Sequence, residues 1–147
     1  MPKAENFFTA EQKAKILAAI KDAEQQTSGE IRLFIEDACD KNLLDRAAEI
    51  FAKLNMHKTA LRNGVLFYLA VSSRKFAILG DAGINKAVPP GFWDEIKNDM
   101  QEHFKQEAFT EGLDKAIHKA GTALKQFFPH QKNDVNELSD DIVFGDN

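Results

Sequence analysis

A single cysteine, Cys39, in a chain of 147 residues leaves no internal disulfide and no Cys-x-x-Cys metal or redox motif. A reducing compartment is the simplest expectation. Strong charge of either sign is also missing. Nineteen Lys and Arg face 23 Asp and Glu, a net charge of -4, which removes the basic footprint of a nucleic-acid binder. With 44% hydrophobic residues, the low-hydropathy, high-charge signature of a disordered chain is absent too. No window approaches the roughly 18 apolar residues that a membrane span needs. The opening Met-Pro-Lys-Ala-Glu-Asn-Phe-Phe is too polar for a signal peptide. A soluble, cytoplasmic monomer with no nucleic-acid or membrane partner is expected.

Familiar catalytic signatures are equally scarce. There is no Gly-x-Ser-x-Gly elbow, P-loop or EF-hand loop. His57, His103, His118 and His130 lack metal-ligand spacing and read as solvated residues. Arg46 lies one position beyond the cysteine-to-arginine spacing of a thiol phosphatase loop, with no intervening glycines to shape an anion nest, so Cys39 reads as structural. The segment Glu36-Asp37-Ala38-Cys39 lacks the paired aspartates of an aspartyl-phosphate enzyme, which argues against covalent phosphotransfer.

What is present is a strong alternation of helical and extended patterns. Thr9 and Gln12 have capping-box spacing, and Ile16, Leu17, Ile20 and Ala23 then recur at helical intervals up to Thr27-Ser28-Gly29. Ile31, Leu33 and Ile35 alternate with more polar positions, the period of a strand. Leu43, Ala47, Ile50, Phe51 and Leu54 mark a second helix capped by Asp40 or Asn42. After Asn63-Gly64, the run Val65 to Val71 is apolar on both faces, as a covered central strand requires. Ser72-Ser73-Arg74-Lys75 turns the chain into a third strand, Phe76 to Leu79, which ends at Gly80-Asp81-Ala82-Gly83. Pro89-Pro90-Gly91 opens a third helix with Trp93, Ile96, Met100 and Phe104 on one stripe, and Thr110 caps a fourth that ends at Pro129.

The order α-β-α-β-β-α-α predicts a three-layer α/β/α sandwich: a small mixed sheet with one right-handed parallel crossover and a β-hairpin. Phe92, Trp93, Phe104, Phe109, Phe127 and Phe128 are expected as core and helix-seam packing. Residues 7–130 form the expected domain, and residues 131–147 an acidic tail. From residue 133 onward Asp134, Glu137, Asp140, Asp141 and Asp146 are unbalanced by Lys or Arg, while Leu138, Ile142, Val143 and Phe144 are expected to lie loosely on the domain or to dock on a protein partner.

This topology gathers Glu30, Arg62, Asn63 and Asp81 at one edge of the sheet. Glu36, Asp37, Asp40 and the Ser72-Ser73-Arg74 turn fall at the other. Open sheets usually bind ligands beyond the carboxyl ends of their parallel strands, which favours the second edge. The first edge has the better donor set: two carboxylates, an amide, and Gly80 and Gly83, which permit close backbone approach. Such oxygens suit a hard cation, Ca²⁺ or Mg²⁺, held by Glu30, Asn63 and Asp81, with Arg62 left for an anionic partner.

The series Thr27-Ser28-Gly29-Glu30-Ile31, Arg62-Asn63-Gly64-Val65-Leu66, Phe76 to Ile84, Phe92-Trp93 and Phe109-Thr110-Glu111-Gly112-Leu113 resembles the TPM domain family, in its stand-alone bacterial form. The resemblance implies an α/β/α sandwich, a phosphatase annotation and an association with divalent cations, notably calcium. Many members have an acidic residue where this chain has Arg62, and Gly-Tyr-Gly where it has Gly80 to Gly83. Three functions follow as expectations: a divalent-cation-binding regulatory module, a metal-assisted phosphomonoesterase in which Asp81 or Glu30 orients water, and an adaptor using the acidic tail.

Overall fold

The computed structural model describes residues 4–130 and 142–145. Three strands and the helices between them follow the expected order. They are α1 (Ala10–Glu24), β1 (Glu30–Glu36), α2 (Leu43–Lys53), β2 (Gly64–Ala70) and β3 (Lys75–Gly80). Three helices follow, the last two a long pair at Phe92–Lys105 and Phe109–Phe127. Ahead of that pair stands a short helix of six residues, Ala82–Ala87, for which the sequence holds no periodic signal. These three are α3 (Ala82–Ala87), α4 (Phe92–Lys105) and α5 (Phe109–Phe127). A fourth strand, β4 (Val143–Phe144), completes the sheet in the order β3-β2-β1-β4.

Local chemistry sets the helix ends. Thr9 and Gln12 form a reciprocal capping box on α1, each side chain taking the other's backbone N–H at 2.9–3.1 Å. Asn42, the second of the two expected candidates, caps α2 by accepting the Asp45 N–H at 3.1 Å. Thr110 does not cap α5. That helix begins at Phe109 after Ala108, and Thr110 is buried in its first turn.

β1 pairs with β2 in parallel, from Glu30 against Gly64 to Glu36 against Ala70. β2 and β3 form the expected antiparallel hairpin, with Val65 opposite Gly80. The period in β1 suggested one polar face, yet all seven of its residues are buried. The reason is coverage from both sides. Ile31, Leu33 and Ile35 face a core shared with α1, α4 and α5, while Phe34 joins Leu66, Tyr68, Ile50 and Met56 under α2. Each fully buried Ile, Leu or Phe in these layers contributes about 1.5–3 kcal/mol by area removed from water.

The end of the chain departs from the expectation of loosely lying apolar residues. Val143 and Phe144 pair in parallel with Phe34 and Ile35, and Gly145 N–H donates to Ile35 O at 2.8 Å. Ile142 and Phe144 pack on the α1 side and Val143 on the α2 side, so strand alternation places each one. Lys13 of α1 lies 5.2 Å above the Phe144 ring. Leu138 and the tail acids Asp134, Glu137, Asp140, Asp141 and Asp146 lie outside the described residues. Of the six aromatics assigned to packing, Phe127 is 38% exposed.

Thr27 joins the end of α5 to the start of β1. Its hydroxyl lies against the carbonyls of Leu124 and Phe128 and accepts the Gly29 N–H at 3.0 Å. Close helix contact follows at Gly121, where a Cβ would lie 2.7 Å from Ala23 Cβ. Gly121→Val therefore forces α1 and α5 apart and should cost about 1–3 kcal/mol in urea unfolding, with the slope unchanged.

Candidate functional site

The parallel crossover brings the backbone of Glu30, Asn63 and Asp81 to one rim, as the topology required. Asp81 N–H donates to Gly64 O at 2.9 Å, and Gly64 is the register partner of Glu30. The side chains then divide. Asp81 caps α3 by accepting the Ala82 N–H at 2.8 Å, and Arg62 grips it with both prongs: Nε to Oδ2 at 2.6 Å and Nη2 to Oδ1 at 2.8 Å. Asp81 is 7% exposed, whereas the Arg62 side chain is 52% exposed. Burial works to raise the Asp81 carboxyl, but the Arg62 bond and the Ala82 N–H prevail and hold it below the usual carboxylate range. The same bond raises the Arg62 guanidinium.

Asn63 turns elsewhere. Its Nδ2 donates to Ser28 Oγ at 3.3 Å, and its buried Oδ1 accepts no hydrogen bond. Glu30 is buried on the α2 face of β1. Met56 packs over Gly64, the register partner of Glu30, with its carbonyl 3.1 Å and its Cε 3.6 Å from where a Cβ on Gly64 would lie. Among the described residues, no three His, Cys, Asp or Glu side chains are grouped so as to hold a metal ion.

Arg62 adopts φ 52°, a left-handed conformation uncommon for a side-chain-bearing residue. Its carbonyl explains the fit, accepting the Gly83 N–H at 2.8 Å and the Ile84 N–H at 3.3 Å. Of the two glycines singled out for close approach, Gly83 is required by it: a Cβ there would stand 2.1 Å from Leu61 O and 2.6 Å from Arg62 O. Gly83→Ala should cost at least about 2 kcal/mol and lower the melting temperature by about 5 °C or more, measured by circular dichroism.

At the opposite edge, the three acids do not converge. Asp40 is exposed, and Asp37 Oδ1 accepts the Ala4 N–H at 2.5 Å, pinning the segment before α1. Glu36 is wholly buried and points under α2, where Arg46 donates from Nε to Oε2 at 2.9 Å and from Nη2 to Oε1 at 2.7 Å. The Tyr68 hydroxyl donates to Glu36 Oε2. The hydrogen bond to Glu36 raises Arg46 against the opposing effect of burial. Burial first, and the Glu36 bond second, raise the Tyr68 phenol. Sequence reading missed this pairing. Arg46 carries no motif of its own and Tyr68 stands in an apolar run; the signal the sequence holds is a phenol in a covered strand whose parallel neighbour ends in a carboxylate on the same sheet face.

Tyr68 is the chain's one tyrosine, which makes it directly observable. Because folding favours the neutral phenol, its contribution is complete below the unfolded phenol's value near pH 10 and is lost as pH climbs from there toward the folded value. Phenolate absorbance should therefore stay absent from the folded protein above about pH 10 and appear only with unfolding. Tyr68→Phe should cost about 1–2 kcal/mol near neutral pH and flatten the alkaline fall in stability.

A mixed sheet between helical layers, with a charged pair at the amino rim and a buried ion pair at the carboxyl rim, defines a small α/β/α domain. A profile of the TPM domain matches residues 2–123, so the chain belongs to the TPM domain family. It is similar to the BA42 protein of the psychrophilic bacterium Bizionia argentinensis, solved by NMR. The identity is 47% and the TM-score 0.90, over 99% of this chain and 100% of that one. Two further NMR structures share the fold at 17% identity. The N-terminal domain of a protein from P. gingivalis has a TM-score of 0.68 over 86% of this chain and 83% of its own. The N-terminal domain of the cg2496 protein from Corynebacterium glutamicum has 0.59 over 81% and 75%. No curated protein matches the chain. No helix among the described residues is long and apolar enough to cross a membrane.

Proposed function

We propose that the chain is a binding module that takes a divalent cation, Ca²⁺ or Mg²⁺, at the amino rim by exchanging it for Arg62. The supporting observation is the asymmetry of the Asp81 pair: a nearly buried, ionised carboxylate whose counter-charge is a half-exposed guanidinium. Arg62 regains hydration on release, and the incoming cation, not water, takes over as counter-charge to the nearly buried carboxylate. A hard cation would meet a carboxylate and, from Asn63, an amide oxygen that accepts no hydrogen bond. These are donors of the right kind. Water completes the shell, and Glu30 is not required in it.

The hydrolytic alternative asks Asp81 to orient water while Arg62 stabilises developing charge. Hydrolysis needs Asp81 and Arg62 to act separately, one on water and one on the phosphoryl group, whereas the two are bonded to each other and Asp81 also accepts from Ala82; exchange for a cation needs only that the pair part. Amide-resolved NMR titration with Ca²⁺ and Mg²⁺ tests the exchange. Shifts should centre on Arg62 to Val65 and Asp81 to Ile84, vanish in Asp81→Asn, and occur at about tenfold lower cation in Arg62→Gln. An unmoved rim at millimolar cation, or weaker binding in Arg62→Gln, refutes it. Hydrolysis of an aryl phosphate that disappears in Asp81→Asn would instead establish the enzyme.

A further inference from the structure

On the other side of the sheet, beyond the carboxyl end of β2, the β2–β3 turn and the α4–α5 turn enclose a cleft of about 700 Å³. It lies on the face of α1, α4 and α5, far from the Arg62–Asp81 rim, and it belongs to none of the functions considered above. Its volume is within the range of small-molecule sites. Position favours it as well, since open α/β sheets bind ligands beyond the carboxyl ends of their parallel strands.

The walls are aromatic. Phe76 meets Phe104 with centroids 5.1 Å apart, Phe104 meets Phe109 at 5.2 Å, and Phe109 meets Phe7 at 5.0 Å. All four rings are only partly buried, so a continuous apolar surface faces the opening. Leu69 and Val71 supply the floor from the end of β2.

The rim is cationic. Arg74, Lys75 and Lys105 line it against one acid, Glu107. Arg74 and Lys75 are exposed and, among the described residues, form no ion pair; Lys105 has a loose contact with Glu102 at 3.7 Å. The two turns that frame the opening each hold a side-chain-bearing residue in the left-handed region, Arg74 at φ 53° and Glu107 at φ 60°. Such positions favour glycine, and here they carry charge to the mouth of the cleft.

We propose that this cleft binds a carboxylate carried on an apolar body. The body packs on the Phe7, Phe109, Phe104 and Phe76 row, edge to face for a ring or lengthwise for an acyl chain. The carboxylate reaches Arg74 and Lys75, with the amides of Gln101 and Gln106 within the lining. A neutral ligand would fill the same walls but leave the cations without a partner.

Amide-resolved NMR titration of the intact chain with naphthoate and with dodecanoate tests this, with naphthalenemethanol and dodecanol as neutral counterparts. Saturable shifts should fall on residues 69–76 and 104–109. Naphthoate acting alone identifies an aryl ligand, and dodecanoate acting alone an acyl one. Each alcohol should bind at least about tenfold more weakly than its carboxylate. The double substitution Arg74→Glu with Lys75→Glu, both exposed and outside the core, should weaken the carboxylate about tenfold and leave the alcohol unchanged. No saturable shift at millimolar ligand, shifts confined elsewhere, or equal binding of acid and alcohol would overturn the proposal. Phe76→Ser offers an independent check, because loss of binding in a variant with an otherwise native spectrum places the ligand on the aromatic row.

Discussion

Parallel pairing of β1 with β2, closed on both faces by helices, is the constraint on which the rest of the molecule depends. With Glu30 held opposite Gly64 and Glu36 opposite Ala70, the register assigns every polar residue of β1 to one face and every aliphatic one to the other. A slip of one residue would turn Ile31, Leu33 and Ile35 toward α2 and bring Glu30, Arg32 and Glu36 into the larger core. The pairing also determines where the two rims stand. Arg62 and Asp81 meet only because the hairpin returns β3 to the start of β2, and the aromatic cleft opens only because α4 and α5 lie on the opposite side from α2.

The two ionic pairs flanking this sheet have different physical characters. Glu36 and Arg46 meet under α2, with Tyr68 supplying a further bond, so each polar group is satisfied where water is scarce. Such a pair is a commitment to one arrangement more than a source of net stability, since its desolvation offsets much of its attraction. Arg62 and Asp81 have similar bidentate geometry, but half of the arginine lies in water. The first pair fixes the α2 layer on the strand. The second leaves its guanidinium within reach of solvent, and the proposed cation exchange at the amino rim rests on this difference.

Much of this was legible in the residues. Thr9 with Gln12, and Asn42 before its helix, announce their own ends through side-chain oxygens at fixed spacing. The covered run from Val65 to Val71 and the turn at Ser72 to Lys75 disclose a central strand and its hairpin. Proximity of Arg62 and Asp81 followed from topology alone. What the residues did not disclose depends on contacts between distant segments. Helix α3 is six residues long and stands on the Asp81 cap and the Arg62 carbonyl, neither of which is a periodic signal. The Glu36–Arg46–Tyr68 arrangement joins two strands and a helix. Phe104 and Phe109 read as ordinary packing because Phe7 and Phe76, which extend their row, come from two other segments, the one before α1 and the start of β3.

β4 gives the sheet a consequence of another kind. Its two residues cover the outer margin of β1, and Glu24 accepts the Ile31 N–H at 2.8 Å further along the same margin. Peeling Val143 and Phe144 away would leave amides and carbonyls of an apolar strand open to pairing with an identical neighbour, the usual starting point for intermolecular sheet growth. The short strand is thus a guard against self-association, and colloidal behaviour is where its loss would be felt first.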